Sequence, residues 1–338
     1  MGSRNEIFGR LENGEPVERI RLVGGGLTAR VLTWGAVIQD LRLEGHPAPL
    51  VLGFEDLAGY LDHSPYFGAT PGRCANRIKG GRFSIDGVDF RLECNEGGVT
   101  HLHGGSDGIA RQNWQIAAQG PDFVTLSMID PAGRAGYPGT CAISCTYRLA
   151  GGGVLSVVYE ATTDAPTPVN LCQHSYFNLD GGADALGHEI RLAAEHYLPV
   201  DERLIPTGDV RPVAGTPFDL RQWTPLDRQT QDGGIAFDHN FCLSSERQAK
   251  RPVIEVRSPQ SGVSLGVLTT EPGVQLYSGA HVAPAAPGLE GRRYGAFAGF
   301  CLETQVWPDA VNHGHFPNAV LRPGETLRQE TDYIFRKG

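Results

Sequence analysis

Four segments of this chain set ionisable and amide side chains among apolar neighbours, a pattern suited to moving protons on a bound polar molecule. In NLCQHSYFNLDG (170–181), His174 stands between Leu171 and Phe177 in what reads as an apolar strand. A histidine there is either a core residue with satisfied ring nitrogens or a proton donor facing a cleft, since its pKa lies near neutrality. In GFCLETQVWPDAVNH (299–313), Glu303 follows Phe300, Cys301 and Leu302. Either it turns to solvent at a strand end, or it is held out of water, where desolvation raises its pKa toward that of a general base. Asp238 in FDHNF (237–241) is a turn cap or an acceptor for hydroxyl donors, because a buried carboxylate without partners is costly. GRCANRIKGGRFSIDG (72–87) and HLHGG (101–105) add Asn76, Arg77, His101 and His103. Arg77 is either a solvated hairpin residue or a fixed fork of donors for hydroxyl groups.

Other chemistries lack their signatures. The Gly-rich turns with Arg contain no GxxxxGK[ST] and no following helix, so a P-loop is not expected. No GxSxG elbow occurs. His101 with His103, and His313 with His315, have a spacing that puts both rings on one strand face, but no third ligand follows at a clear spacing, so no metal is expected. Asp238 and Glu303 would be the carboxyl pair if the chain cleaved glycosidic bonds.

The elements that must position these residues read as strands. The chain has 338 residues with 45 Gly and 23 Pro, too many breakers for a helical bundle. Short alternating segments recur throughout: LTARVLT, AVIQDLRL, GRFSIDG, VDFRLE, FVTLSMI, CAISCTYRL, VLSVVYEAT, HEIRLAA, PVIEVRS and VSLGVLTT, bounded by turn residues such as Asp86–Gly87. FEDLAGYL (54–61) is a short helix or turn. No βαβ alternation, linker or fixed-period repeat is visible. These features predict a single all-β domain over 1–338, a large antiparallel β-sandwich whose curved sheets form a concave groove able to take a sugar.

Seven scattered cysteines read as reduced and mostly buried. Cys141 and Cys145 lie on one strand, roughly 13 Å apart, beyond disulfide reach. The net charge of −9 and the lack of a basic run argue against nucleic acid. MGSRNEIFGRLE at the start holds no apolar run and no stretch of the chain is long and apolar enough to span a membrane, so the expected location is the cytoplasm. A monomer or a homodimer is expected, with no residue pattern deciding between them.

Taken in order, GRCANRI, the FSIDG hairpin, LHGG, QHSYFNLDG, FDHNF, VQLYSG (274–279) and CLETQVWPDAVNHGHFP resemble the aldose 1-epimerase (galactose mutarotase) family, over roughly residues 72–317. WGAVIQDLRL and LRPGETLRQETDYIF are similar to the family's early and final strands. The resemblance implies the galactose mutarotase-like supersandwich, exchange of the anomers of a free monosaccharide, and no cofactor. It implies His174 as general acid and Glu303 as general base, with Asn76, Arg77, His103, Asp238 and Gln275 holding the sugar. Gln173 stands where Asn is more usual, Cys74 lies inside the Arg–Asn turn, and residues 280–300 depart from the family's loop. A sugar-binding protein without catalysis and a hexose-6-phosphate 1-epimerase, with Arg292 and Arg293 as phosphate ligands, are the alternatives on the same scaffold.

Overall fold

The structure is a computed structural model that describes residues 5–229 and 236–338; the first four residues of the N-terminal segment read above lie outside it. Among the described residues two large antiparallel sheets dominate. One has nine strands, ordered Thr224–Pro225, Glu189–Leu192, Arg251–Arg257, Val263–Thr269, Leu327–Lys337, Val154–Thr163, Cys141–Ala150, Phe123–Asp130, Gln115–Gln119. The other has six, ordered Tyr176–Phe177, Phe300–Gln305, Gly273–Tyr277, Asp238–Cys242, His196–Tyr197, Arg211–Pro212. A four-stranded sheet, Asn5–Arg10, Pro16–Gly24, Leu27–Leu32 and Ile38–Leu43, extends the assembly.

Period-two alternation builds the nine-stranded sheet. Along Cys141–Ala150 the inward residues are Cys141, Ile143, Cys145, Tyr147 and Leu149. Ten such segments were legible from alternation, and each contains a strand, with Asp86 and Gly87 both at positive φ in the tight turn between Arg82–Ile85 and Val88–Arg91. FEDLAGYL contributes a helical turn, Gly59–His63. All seven cysteines are free, and all but Cys94 are buried. No helix among the described residues is long and apolar enough to cross a membrane.

The two large sheets pack face to face. Phe177, Leu276, Phe300 and Leu302 meet Tyr147, Tyr159, Tyr333 and Phe335 in one core cluster, each large apolar side chain contributing about 1.5–3 kcal/mol on burial. Polar groups in that core are spent on holding loops. Tyr159 Oη donates to the Cys172 carbonyl at 3.1 Å and Gln329 Nε2 to the Leu171 carbonyl at 2.9 Å. The segment carrying His174 is therefore fixed by side chains of the opposite sheet. That corrects its reading as a strand: residues 171–175 are irregular, and the His174 backbone bonds to Ala69 and Gly68 across a loop.

Candidate active site

Strand register assembles most of the site. Directly paired residues of an antiparallel sheet share a face. Tyr176, Cys301, Tyr277 and Asp238 form one row across four strands, and Glu303, Gln275 and Asn240 form the next. Phe300, Leu302 and Thr304 alternate onto the other face. The Phe300–Gln305 strand is thus buried on both sides, with apolar residues toward the core and working residues toward a cavity.

Two turns close over that face. Arg73, fully buried, pins the first: its Nε donates to Asp130 Oδ2 at 2.8 Å and its Nη1 to the carbonyls of Pro138 and Gly139. Asn170 ties the same turn to the end of the Glu303 strand, accepting from the Val306 amide at 2.8 Å while its backbone carbonyl accepts from Ala75 at 2.7 Å. The second turn holds His103 at φ 53°, beside Asn76 at φ 59°. Both residue types tolerate the left-handed region better than most. Gly104 lets the turns meet, since a Cβ there would stand 1.7 Å from the Gly72 oxygen. His101, by contrast, bonds to the Glu93 carbonyl and Tyr137 Oη. The strand ends at Leu102 and His103 lies outside it, so the two histidines of HLH do not share a strand face, contrary to their spacing.

His174 Nε2 lies 3.7 Å from Glu303 Oε1, and both side chains are buried. Burial pushes Glu303 up to about 8, with Asp238 adding to the rise and the Cys172 thiol and Arg77 opposing it. Burial pushes His174 down to about 4. Because neither charge is well solvated there, burial favours the neutral pair without substrate, with the one proton between the two groups on Glu303. His103 Nδ1 accepts the Asn76 amide at 3.1 Å, leaving Nε2–H as its donor. Burial, then His174 and Arg77, hold His103 well below its usual range.

Asp238 accepts from Gln275 Nε2 at 2.6 Å through Oδ1, and its Oδ2 stands 3.6 Å from Arg77 Nη1. Arg77 is itself gripped by Glu96, with Nε and Nη2 each 2.8 Å from a carboxylate oxygen. A cavity of about 230 Å³ is lined by Asn76, Arg77, His103, His174, Asp238 and Glu303. That is below the range of drug-sized pockets and suits a small polar ligand. Gln275 does not line it; its amide donates to Asp238, which does. Composition and motif missed Tyr66, Tyr176, Leu204, Tyr277 and His281, which also line it, as do Pro65 and Leu102. Tyr66 and Tyr176 stack on the His174 ring at centroid distances of 5.9 and 5.2 Å. Aromatic types in an all-β chain look like core, so only the register across distant strands exposes them as walls.

Residues 18–333 match the family described as aldose 1-epimerase. The chain belongs to the aldose 1-epimerase family. It is 44% identical to the galactose mutarotases of Rattus norvegicus and Homo sapiens over 338 residues, 97% of this chain and 97% of each relative. The aldose 1-epimerase of Escherichia coli K12 is 34% identical over 345 residues, covering 98% of this chain and 99% of that one. A solved GalM/aldose epimerase homologue from C. elegans superposes with a TM-score of 0.89 at 29% identity, covering 95% of this chain and 99% of that chain. The galactose 1-epimerase of Lactobacillus acidophilus NCFM gives 0.84 at 27% identity, with 99% of both chains covered.

The convergent histidines and glutamate and the two arginines of the 280–300 segment line different cavities. The ligating atoms of His103, His174 and Glu303 lie within 4.8 Å of one another. Arg292 and Arg293 line a separate cavity of about 370 Å³ with Pro49, Asn178 and Gly181. Neither lines the His174–Glu303 cavity, so the expected phosphate ligands do not face it. A further concavity, about 790 Å³, lies against Ser127, Ile129, Ser144, Glu160 and Thr162 of the nine-stranded sheet and is lined by neither His103 nor His174.

Proposed function

We propose that this chain is a mutarotase, an isomerase that interconverts the α and β anomers of a free aldose such as galactose or glucose. Its membership of the aldose 1-epimerase family and its likeness to galactose mutarotases support the substrate class. The observation that carries the mechanism is the 3.7 Å approach of His174 Nε2 to Glu303 Oε1 at the wall of a monosaccharide-sized cavity.

Anomer exchange opens the ring at the C1–O5 bond. The C1 hydroxyl loses a proton and O5 gains one; the C1–C2 bond rotates, and closure reverses both transfers. No electron leaves the sugar and no covalent intermediate is required, so one base and one acid suffice. When the C1 hydroxyl donates to Glu303, it favours the carboxylate, and the shared proton passes to His174. Glu303 then takes the hydroxyl proton as His174 delivers its own to O5. The product state, protonated Glu303 and neutral His174, is the state the empty site prefers, so the pair is already set for ring closure. Asp238, His103, Asn76 and Arg77 hold the hydroxyls; the Arg77 guanidinium also favours negative charge developing nearby. The partner is a monosaccharide, and neither nucleic acid nor membrane has a role.

Polarimetry on freshly dissolved α-D-galactose and α-D-glucose tests this reading, with a wider aldose panel that includes a 6-phosphate. The approach to equilibrium rotation should accelerate in proportion to enzyme for the free sugars. Tight sugar binding without acceleration would identify a binding protein instead, and acceleration confined to the 6-phosphate would move the substrate class.

A further inference from the structure

Each member of the pair has a sulfur against it. Cys301 Sγ lies 3.5 Å from His174 Nδ1, and Cys172 Sγ donates to Glu303 Oε2 at 3.4 Å. Among the described residues these are the side-chain partners of the His174 ring and the Glu303 carboxyl; the backbone of His174 itself also acts on its ring and favours the charged form. Both cysteines are fully buried, and burial raises both thiols well above their ordinary range, so they stand as neutral S–H groups. Each is held in place by the fold. Cys301 sits in the site row between Tyr176 and Tyr277, and the Cys172 carbonyl is taken by Tyr159.

A working histidine commonly gives its rear nitrogen to a carboxylate or a carbonyl, which steadies the imidazolium. Sulfur is a weak acceptor and a weak donor. A strong acceptor behind His174 would trap the shared proton on the ring, and a strong donor on Glu303 would trap the negative charge there. We propose that Cys301 and Cys172 are positioning residues, which orient the imidazole and the carboxyl through weak sulfur contacts and thereby set the pH limits of turnover. This rests on the acid–base reading of the pair given above. The remaining titratable groups near His174 are Tyr66, His103, Tyr176 and Glu303 itself. Besides the two thiols, those near Glu303 are His174, Asp238, the phenols of Tyr176, Tyr277 and Tyr333, and Arg77, the last backed by Glu96. None of them changes in the variants below.

The experiment measures pH–rate profiles of Cys301→Ser, Cys301→Ala, Cys172→Ser and Cys172→Ala by polarimetry, with thermal melts and an NMR titration of the His174 ring. Charged groups bind oxygen partners more strongly than neutral ones do. Cys301→Ser should therefore raise the acid limb and Cys301→Ala lower it. Cys172→Ser should lower the alkaline limb and Cys172→Ala raise it. Each shift should be on the order of half a pH unit to one unit, with the His174 NMR titration following the acid limb. A packing defect would move serine and alanine variants in the same direction or leave the limbs alone. Limbs coincident with the parent's in folded variants overturn the thiol assignment, even where Glu303→Gln and His174→Asn abolish activity. Near-normal activity in those two variants would instead overturn the acid–base reading. If an alanine variant fails to fold, the serine variant and the NMR titration still decide.

Discussion

Gln275 donates from Nε2 to Asp238 Oδ1 at 2.6 Å, across neighbouring strands and one register step along. With Arg77 3.6 Å from its other oxygen, Asp238 is oriented before any sugar arrives, and its remaining lone pairs are aimed by the protein. Asp238→Asn should raise KM by about ten- to a hundredfold, the scale of a charged hydrogen bond, with a smaller effect on kcat. Initial-rate kinetics on galactose would check this; an unchanged KM would remove Asp238 from the sugar's contacts.

Glu303→Gln and His174→Asn should each lower kcat by roughly 10² to 10⁴ with the fold intact. Because the two groups exchange one proton, the double variant should be scarcely worse than the poorer single one. Multiplying losses in the double variant would mean that the two act in separate steps.

Turnover requires one proton on the pair. Raising pH through about 8 removes it from Glu303, and lowering pH through about 4 adds a second at His174. The profile of kcat/KM should be a bell with a broad plateau between those limits, belonging to the pair jointly. A single limb near neutrality would point to an unperturbed histidine acting alone.

Holding Glu303 dry costs stability. Its carboxyl titrates at about 8 folded, against an ordinary 4.5. Between those values the unfolded chain has released the proton that the folded chain keeps, so stability falls as pH rises across that window and is level above it. Glutamine has no such cost. Glu303→Gln should melt above the parent, and the gap should widen from pH 5 to pH 8. Scanning calorimetry at several pH values would measure it; a gap independent of pH would place the ionisation cost elsewhere.

Much of this was legible in the residues. Alternation found six strands of the nine-stranded sheet because each has an inward face, as in Cys141–Ala150, and missed Gln115–Gln119, which has no buried residue, and the two-residue Thr224–Pro225. The unusual polar residues in apolar runs marked His174, Glu303 and Asp238. The failures share a cause. Residues 171–175 read as a strand without being one, since Gln329 and Tyr159 of distant strands satisfy the carbonyls of Leu171 and Cys172. The HLH spacing misled because His103 adopts a left-handed conformation just past its strand. Tyr277 looks like core in sequence, and only its place in the row across the sheet brings it to the cavity. Leu204, from a loop at φ 59°, carried no signal at all.

The two-faced strand Phe300–Gln305 has a consequence for how the enzyme is made. Sliding it by a single residue against Gly273–Tyr277 would drive Glu303 into hydrocarbon and present Leu302 to the sugar. Such a misassembled chain would forfeit packing and chemistry in the same event, leaving little room for molecules that are well folded but inert. Correct assembly of the sandwich therefore doubles as quality control on the proton shuttle.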